Sequence, residues 1–247
     1  MFLHKTIVPA HSKAGPLSVF IVFFVLQNES AYPLIYIGKW LIPSLIFLGL
    51  PSAVANGTNR IAIMMTAFSA NMGFKSKGIS TFPFSAYTGS CALIGSVIGA
   101  HIAIDLNDEA FKKTLSIIMI LVILIIVFKP KIYSDKLSVR LTGEHLRLSC
   151  IVFFFIGVYG GFVNAGIGFI IMLFLHFYNR MNLIRVNATK VVIVLVYTLG
   201  AFLTFVFNEL VNYPYGLCLA IGTVIGGWNA SRYSVKKGEK IIKLFLV

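Results

Sequence analysis

The sequence predicts an all-α, polytopic membrane protein made of two inverted repeats, each with a re-entrant hairpin and three transmembrane helices. Three observations predict this fold: the composition, an internal repeat and the distribution of charge among the loops. Over its 247 residues the chain is 58% hydrophobic and only 12% charged, and its mean hydropathy is +0.89. Soluble proteins carry about 25% charged residues, so this composition indicates a chain embedded in lipid.

The apolar residues form contiguous runs of the length that a transmembrane helix requires. An α-helix needs about 20 apolar residues to cross about 30 Å of hydrocarbon. Backbone polar groups in lipid must be satisfied within the segment, which favours helices throughout. The runs lie at 52–74, 82–104, 110–128, 183–207 and 213–230.

The net charge of +13 does not indicate nucleic-acid binding, because the basic residues lie in short loops between apolar runs. The three cysteines, Cys91, Cys150 and Cys218, lie within apolar runs. We interpret them as small apolar residues, since their odd number and surroundings do not fit a disulfide framework or a metal site. No cofactor is predicted.

An internal repeat relates the two halves of the chain. A shift of 131 residues places Asn56-Gly57-Thr58 on Asn187-Ala188-Thr189 and the FPF of 82–84 on the YPY of 213–215. After a small deletion, a shift of 127 places IGSVIGAHIA (94–103) on IGTVIGGWNA (221–230). The order of these matches along the chain predicts two copies of one unit.

Equivalent loops of the two copies carry opposite charge. In the first copy the loop 75–81 is basic and the turn 105–109 is acidic, whereas in the second copy 208–212 has only Glu209 and 231–240 is basic. Since positive loops face the cytoplasm, the second copy is predicted to be upside down. Inverted repeats are common in secondary transporters.

The basic linker 129–147 and the arginines before the 183–207 run are both predicted to be cytoplasmic. The segment 148–178 must then enter and leave the membrane on one side. Its two apolar pieces, 148–160 and 169–178, flank GGFVNAGIG (160–168), and neither is long enough to cross the membrane. We therefore predict a re-entrant hairpin with a glycine-rich tip.

This tip and two polar stretches inside helices form the predicted anion site. Glycines let backbone N–H groups face a cavity, and a helix N-terminus adds partial positive charge. Alternatively, the Asn and Thr residues could only hydrogen-bond between helices, and the two cations could extend to the interface. The candidate substrate-binding residues are Asn56, Gly57, Thr58, Asn59 and Arg60 in the first half, and Asn164, Gly166, Gly168, Asn187, Thr189 and Lys190 in the second.

Four other glycines have the spacing typical of close helix packing and are predicted to be structural. They are Gly95, Gly99, Gly222 and Gly226. An enzyme is not predicted, because the chain lacks the usual serine-nucleophile and zinc-protease motifs.

Three stretches resemble the sulfite exporter TauE/SafE family, also called the toluenesulfonate uptake permeases. They are FLGLPSAVANGTNRIAI (47–63), the FKPK that ends the first half, and GVYGGFVNAGIGF (157–169) followed by VNATK. The resemblance covers about residues 40 to 243. It implies a multi-pass carrier of the bacterial inner membrane that moves sulfite, an organosulfonate or another small organic acid. The family's glycine-rich stretch falls on Gly160, Gly161, Ala165, Gly166 and Gly168, and its N/G-T stretch on Asn56, Gly57 and Thr58.

The expected division is a first repeat at 1–128 with a degenerate N-terminal part, a basic cytoplasmic linker at 129–147, and a second repeat at 148–247. Val247 aligns with Ile120, so the last helix is expected to end about eight residues early. A non-transporting remnant or an interaction subunit is therefore the alternative to a carrier. The expected partners are a small anion and the lipid bilayer, while the coupling ion, proton or sodium, and a homodimer are left open.

Overall fold

The computed structural model describes residues 37–127 and 139–237, and every regular element in these ranges is an α-helix. The predicted degenerate N-terminal part, most of the basic linker and the predicted short end of the last helix lie outside the described residues. The helices are α1 (Ile37–Phe47), α2 (Ser52–Lys75), α3 (Phe84–Asp105), α4 (Asp108–Val127), α5 (Glu144–Phe162), α6 (Ile167–Phe177), α7 (Leu183–Phe207) and α8 (Tyr213–Lys237).

The helix boundaries follow local sequence signals. Asn182 begins α7 because its side-chain oxygen accepts the backbone N–H of Arg185 at 2.8 Å. Asn107 begins α4 in the same way, accepting the N–H of Ala110 at 2.8 Å. Pro51 directly precedes α2, where a residue without an N–H removes no helical hydrogen bond. Each of the five predicted apolar runs corresponds to one long helix within a residue or two at its ends, which confirms the described parts of these runs as helices.

Among the described helices, α3, α5 and α7 are long and apolar enough to cross a membrane. The prediction that the piece 148–160 is too short is therefore wrong. Helix α5 begins at Glu144 and has 19 residues, or about 28 Å, because its polar first turn is helical as well. The partner piece is short, as predicted: α6 has 11 residues, or about 16 Å.

Helices α5 and α6 form a hairpin around the break at 163–166. Its open end is closed by polar contacts, since His145 Nδ1 lies 3.2 Å from the Tyr178 hydroxyl and Asn179 Nδ2 donates to Ser149 Oγ at 3.0 Å. The start of α5 and the end of α6 therefore lie at the same end of the molecule. The membrane depth of the hairpin tip stays a prediction.

Small residues allow the helices to pack closely. Helix α3 packs mainly on α5 and α7, and α2 packs mainly on α8 and α7. A Cβ added at Gly95 or Gly99 would clash with the α5 backbone, and one at Gly157 or Gly161 would clash with the α3 backbone. Gly95 and Gly99 thus have the structural role that their spacing predicts.

Candidate functional site

The break between α5 and α6 lies at the centre of the candidate site. The chain becomes extended at Val163 and takes the left-handed conformation at Gly166, with φ of 73°, before α6 begins. Two tyrosines hold the break in place: the Tyr159 hydroxyl donates to the Ala165 carbonyl, and the Tyr197 hydroxyl donates to Asn164 Oδ1. The break is thus an ordered turn.

Arg60 caps the end of α5 from inside α2. Its side chain is fully buried and donates to the carbonyl oxygens of Gly160 at 2.6 Å and Gly161 at 2.7 Å. Asn56, one helical turn earlier, donates to the Phe162 carbonyl at 2.8 Å and accepts from Arg60 at 3.2 Å. These carbonyls have no partner within α5 because the helix ends there, so the two side chains satisfy its negative terminus.

On the other side of the break, the side chain of a lysine lies beside the N-terminus of α6. The side chain of Lys190 passes beside Gly168, where an added Cβ would lie 3.7 Å from the Lys190 Cδ atom. Its ammonium donates to Asn187 Oδ1 at 2.8 Å and has no carboxylate partner within the described residues. A half-buried cation and a helix N-terminus, both electropositive, therefore lie side by side.

Comparison with known proteins agrees with this architecture. Residues 38–247 match the family model described as "Sulfite exporter TauE/SafE". The chain belongs to this family. It is therefore a multi-pass membrane protein of a transporter family and not an enzyme.

Its relatives include bacterial membrane proteins. A "Probable membrane transporter protein" of Haemophilus influenzae is 26% identical over 83% of this chain and 80% of its own length. The "Probable membrane transporter protein YfcA" of Escherichia coli K12 is 24% identical over 94% of this chain and 87% of its own length. No solved structure matches this TauE/SafE chain.

Three of the predicted site residues of this TauE/SafE chain are engaged in helix packing or in hydrogen bonds to the backbone. Gly57 lies against Phe205 and the Leu210 carbonyl, where a Cβ would clash. Thr58 accepts the N–H of Asn212 at 2.9 Å, and Thr189 donates to the Arg185 carbonyl at 2.8 Å.

Asn59 differs from these three. It is fully buried, and neither its amide nitrogen nor its amide oxygen has a hydrogen-bond partner among the residues that the structure describes. Because a buried amide without partners is unfavourable, Asn59 is available to a water molecule or a ligand.

The sequence did not reveal Tyr159 and Tyr197, the two residues that hold the break. Both occur in apolar runs, where an aromatic residue is ordinarily read as packing. A signal was present for Tyr197, because a tyrosine buried in a membrane helix requires a partner for its hydroxyl. Its backbone carbonyl also accepts from Ser96 Oγ at 2.7 Å, which fixes α7 against α3.

A separate apolar groove lies between α3 and α7. It encloses about 360 Å³ and is lined by residues such as Leu93, Val97 and Leu203, with His101 and Asn208 contributing polar atoms. None of the predicted site residues lines it. Within the ranges 37–127 and 139–237, no group of three or more His, Cys, Asp or Glu residues could hold a metal ion.

Proposed function

We propose that this protein is a secondary carrier that moves a small anion, such as sulfite, an organosulfonate or a small organic acid, across the bacterial inner membrane. The observation that carries the proposal is the arrangement of Lys190 and Asn187 beside Gly168 at the start of α6. An ammonium group in a membrane segment is costly unless it faces a cavity or a partner, and no described carboxylate pairs with it.

The groups around the break fit a small oxyanion. The first N–H groups of α6 have no partner within the helix, and its dipole favours negative charge at that end. Lys190 supplies a full positive charge, and Asn59 and Asn164 supply amide groups. We assign substrate contact to these residues with Gly166, Gly168 and Asn187, and assign Arg60 and Asn56 to holding the end of α5.

The two-repeat organisation is part of the proposal, with repeats at 1–128 and 148–247 joined by the linker 129–147. Helices α1 and α6 each have 11 residues and begin with Ile-Gly, at residues 37 and 167. The turns after them have positive φ at Gly49 and Arg180, a spacing of 180 − 49 = 131, which equals the shift that aligns the N-[GA]-T motifs.

Counterflow in proteoliposomes tests the transport function. Vesicles preloaded with sulfite, an alkanesulfonate or acetate should accumulate the corresponding radiolabelled anion through the purified full chain. Lys190→Gln should reduce uptake about tenfold or more, which corresponds to about 1.4 kcal/mol and is typical of a lost charge-assisted hydrogen bond.

Lys112→Gln is the matched control, because Lys112 is an exposed lysine that pairs with Asp108 at 3.7 Å. It should leave both uptake and melting temperature unchanged. Full uptake by a folded Lys190→Gln variant would exclude this anion site. Failure of the unsubstituted chain to exchange any of the anions would instead favour the remnant or interaction subunit.

A further inference from the structure

Three arginines, at positions 140, 180 and 185, lie at the end of the molecule where α5 begins and α6 turns into α7. The segment before α5 is tied to that turn, since the Arg140 N–H donates to the Asn179 carbonyl at 3.0 Å and Asn179 Nδ2 donates to the Arg140 carbonyl at 2.9 Å. Asn179 is fully buried between them. Arg140 and Arg180 therefore project from adjacent backbone segments.

Arg185 completes this cluster from the first turn of α7. The hydrogen bond from its N–H to Asn182 Oδ1 fixes this turn directly after Arg180. None of the three arginines forms an ion pair within the described residues, where the ion pairs are Lys112–Asp108 and Lys113–Glu109. Glu144 in the first turn of α5 and Asp135 are the acids nearest to the arginines in sequence, so the three arginines outnumber the nearby acids and the cluster has excess positive charge.

Arg180 occupies a backbone position that favours glycine. Its φ is 53°, and the corresponding turn between α1 and α2 has Gly49 at φ of 90°. A non-glycine residue in this conformation costs free energy. An arginine at this position is therefore unexplained by the fold, which points to a role for its guanidinium group.

An exposed apolar surface lies along α5, which begins at the end of the molecule where the three arginines lie. Leu148, Ile151 and Phe155 are 43%, 56% and 65% exposed and follow one another along one side of the helix. Exposed apolar side chains on a membrane helix face lipid tails. A molecule that contacts both regions has an anionic head and an apolar chain.

We propose that Arg140, Arg180 and Arg185 bind the phosphate group of an anionic phospholipid, with an acyl chain lying along Leu148, Ile151 and Phe155. The planar guanidinium group binds phosphate oxygens through paired hydrogen bonds. Basic sites between membrane helices on the cytoplasmic side are typical positions for anionic headgroups. This site differs from the anion site at Lys190 and does not rest on the transport function.

Thermal unfolding of the purified full chain in a neutral detergent tests the proposal. Dioleoyl-phosphatidylglycerol should raise the melting temperature, because a ligand that binds only the folded state stabilises it, whereas dioleoyl-phosphatidylcholine should not. Arg180→Gly should raise the melting temperature without lipid, since glycine relieves the backbone strain at positive φ. The same variant should lose most of the shift caused by phosphatidylglycerol. Arg140→Gln should lose that shift as well.

Lys113→Gln is the matched control. Lys113 is an exposed lysine of α4 that pairs with Glu109 at 2.8 Å, and it lies outside the segments that carry the three arginines and the apolar surface of α5. It should keep the full shift. Equal shifts with phosphatidylcholine, or full shifts in both test variants, would overturn the proposal. An equal shift with inorganic phosphate alone would overturn the lipid assignment and indicate a soluble phosphate ligand.

Discussion

Arg60 shows how a single charged residue is accommodated in a membrane helix. It neither faces an open cavity nor extends to the interface, the two outcomes usual for such a residue. Instead its guanidinium group binds two carbonyl oxygens that α5 leaves unpaired, and the Phe205 ring lies 5.7 Å from its central carbon. The carbonyls therefore gain donors from the two terminal nitrogens of the guanidinium group, while its Nε has no hydrogen-bond partner among the described residues.

Replacing Arg60 should mainly lower the free energy of unfolding, because its side chain caps the end of α5. Arg60→Gln leaves carbonyl oxygens buried without a donor, so we expect a loss of about 3 kcal/mol or more in unfolding free energy. Arg60→Lys should recover little, because one ammonium cannot reproduce the paired geometry. The measurement is the melting temperature in detergent, with the exposed Arg147→Gln on α5 as control. Wild-type stability in Arg60→Gln would show that the capping contacts are dispensable.

The candidate site could be predicted only in part from the sequence. The pairing of Asn56 with Arg60 can be predicted from the sequence, since the two residues are four apart on one helix face. Their partners at Gly160 to Phe162 are about a hundred residues away, and no local pattern encodes a contact between distant helices. Thr58 and Thr189 look equivalent in sequence, yet Thr58 accepts from the turn before α8 and Thr189 donates to a carbonyl of its own helix.

At the level of single elements, the sequence was informative about long helices and less so about their ends. The run 82–104 corresponds to α3 at Phe84–Asp105 because apolar content decides a buried span. The start of α5 was missed because its first turn is polar, and hydropathy does not detect helical hydrogen bonding in polar residues. The two short turns with positive φ at Arg180 and Glu209 were also not predicted.

These two turns give a stability prediction. Glu209 has φ of 56°, and Gly78 occupies the turn 131 residues earlier with φ of 75°. Glu209→Gly should therefore stabilise the folded state by about 0.5–1 kcal/mol, after the added chain entropy of glycine is subtracted. Chemical denaturation in mixed micelles measures it. Asn208→Gly, at negative φ, is the control and should destabilise instead.

The contact between α3 and α5 should be intolerant of added side chains. Gly161 faces the Ser96 backbone so closely that a Cβ would clash, so Gly161→Leu must separate the two helices. We expect a loss of about 3 kcal/mol or more, measured as melting temperature and folded yield. Ser90→Leu, on the exposed face of α3, is the control and should be neutral. Tolerance of Gly161→Leu would contradict the close approach of these helices.

For the whole molecule, the main packing joins helices from different halves of the sequence. Helix α2 of the first half packs on α7 and α8, and α3 packs on α5 and α7. The hydrogen bonds from Arg60 to the α5 end also cross between the halves. Sequence periodicity predicts a repeat but cannot show this packing across the halves, because both arrangements would bury the same residues.

The packing of α2 against α7 also fixes their relative direction. Gly57, near the start of α2, lies against Phe205 and Leu210 at the end of α7, so the two helices are antiparallel. Helix α2 has 24 residues and a length of about 36 Å, which exceeds the hydrocarbon thickness of about 30 Å. The turn after α2 and the turn after α7 must then lie at opposite ends of the molecule.

Cysteine labelling tests whether these ends face opposite sides of the membrane. In a chain whose three native cysteines are replaced by alanine, Lys77→Cys and Asn208→Cys place single thiols in the exposed turns after α2 and α7. The loop with Lys75 and Lys77 should be cytoplasmic and the turn with Glu209 external, because positive loops are retained inside. In intact cells an impermeant maleimide should label only the thiol at position 208. The thiol at position 77 should be labelled only after the cells are permeabilised. Labelling of both thiols in intact cells would place both turns outside and contradict the predicted topology.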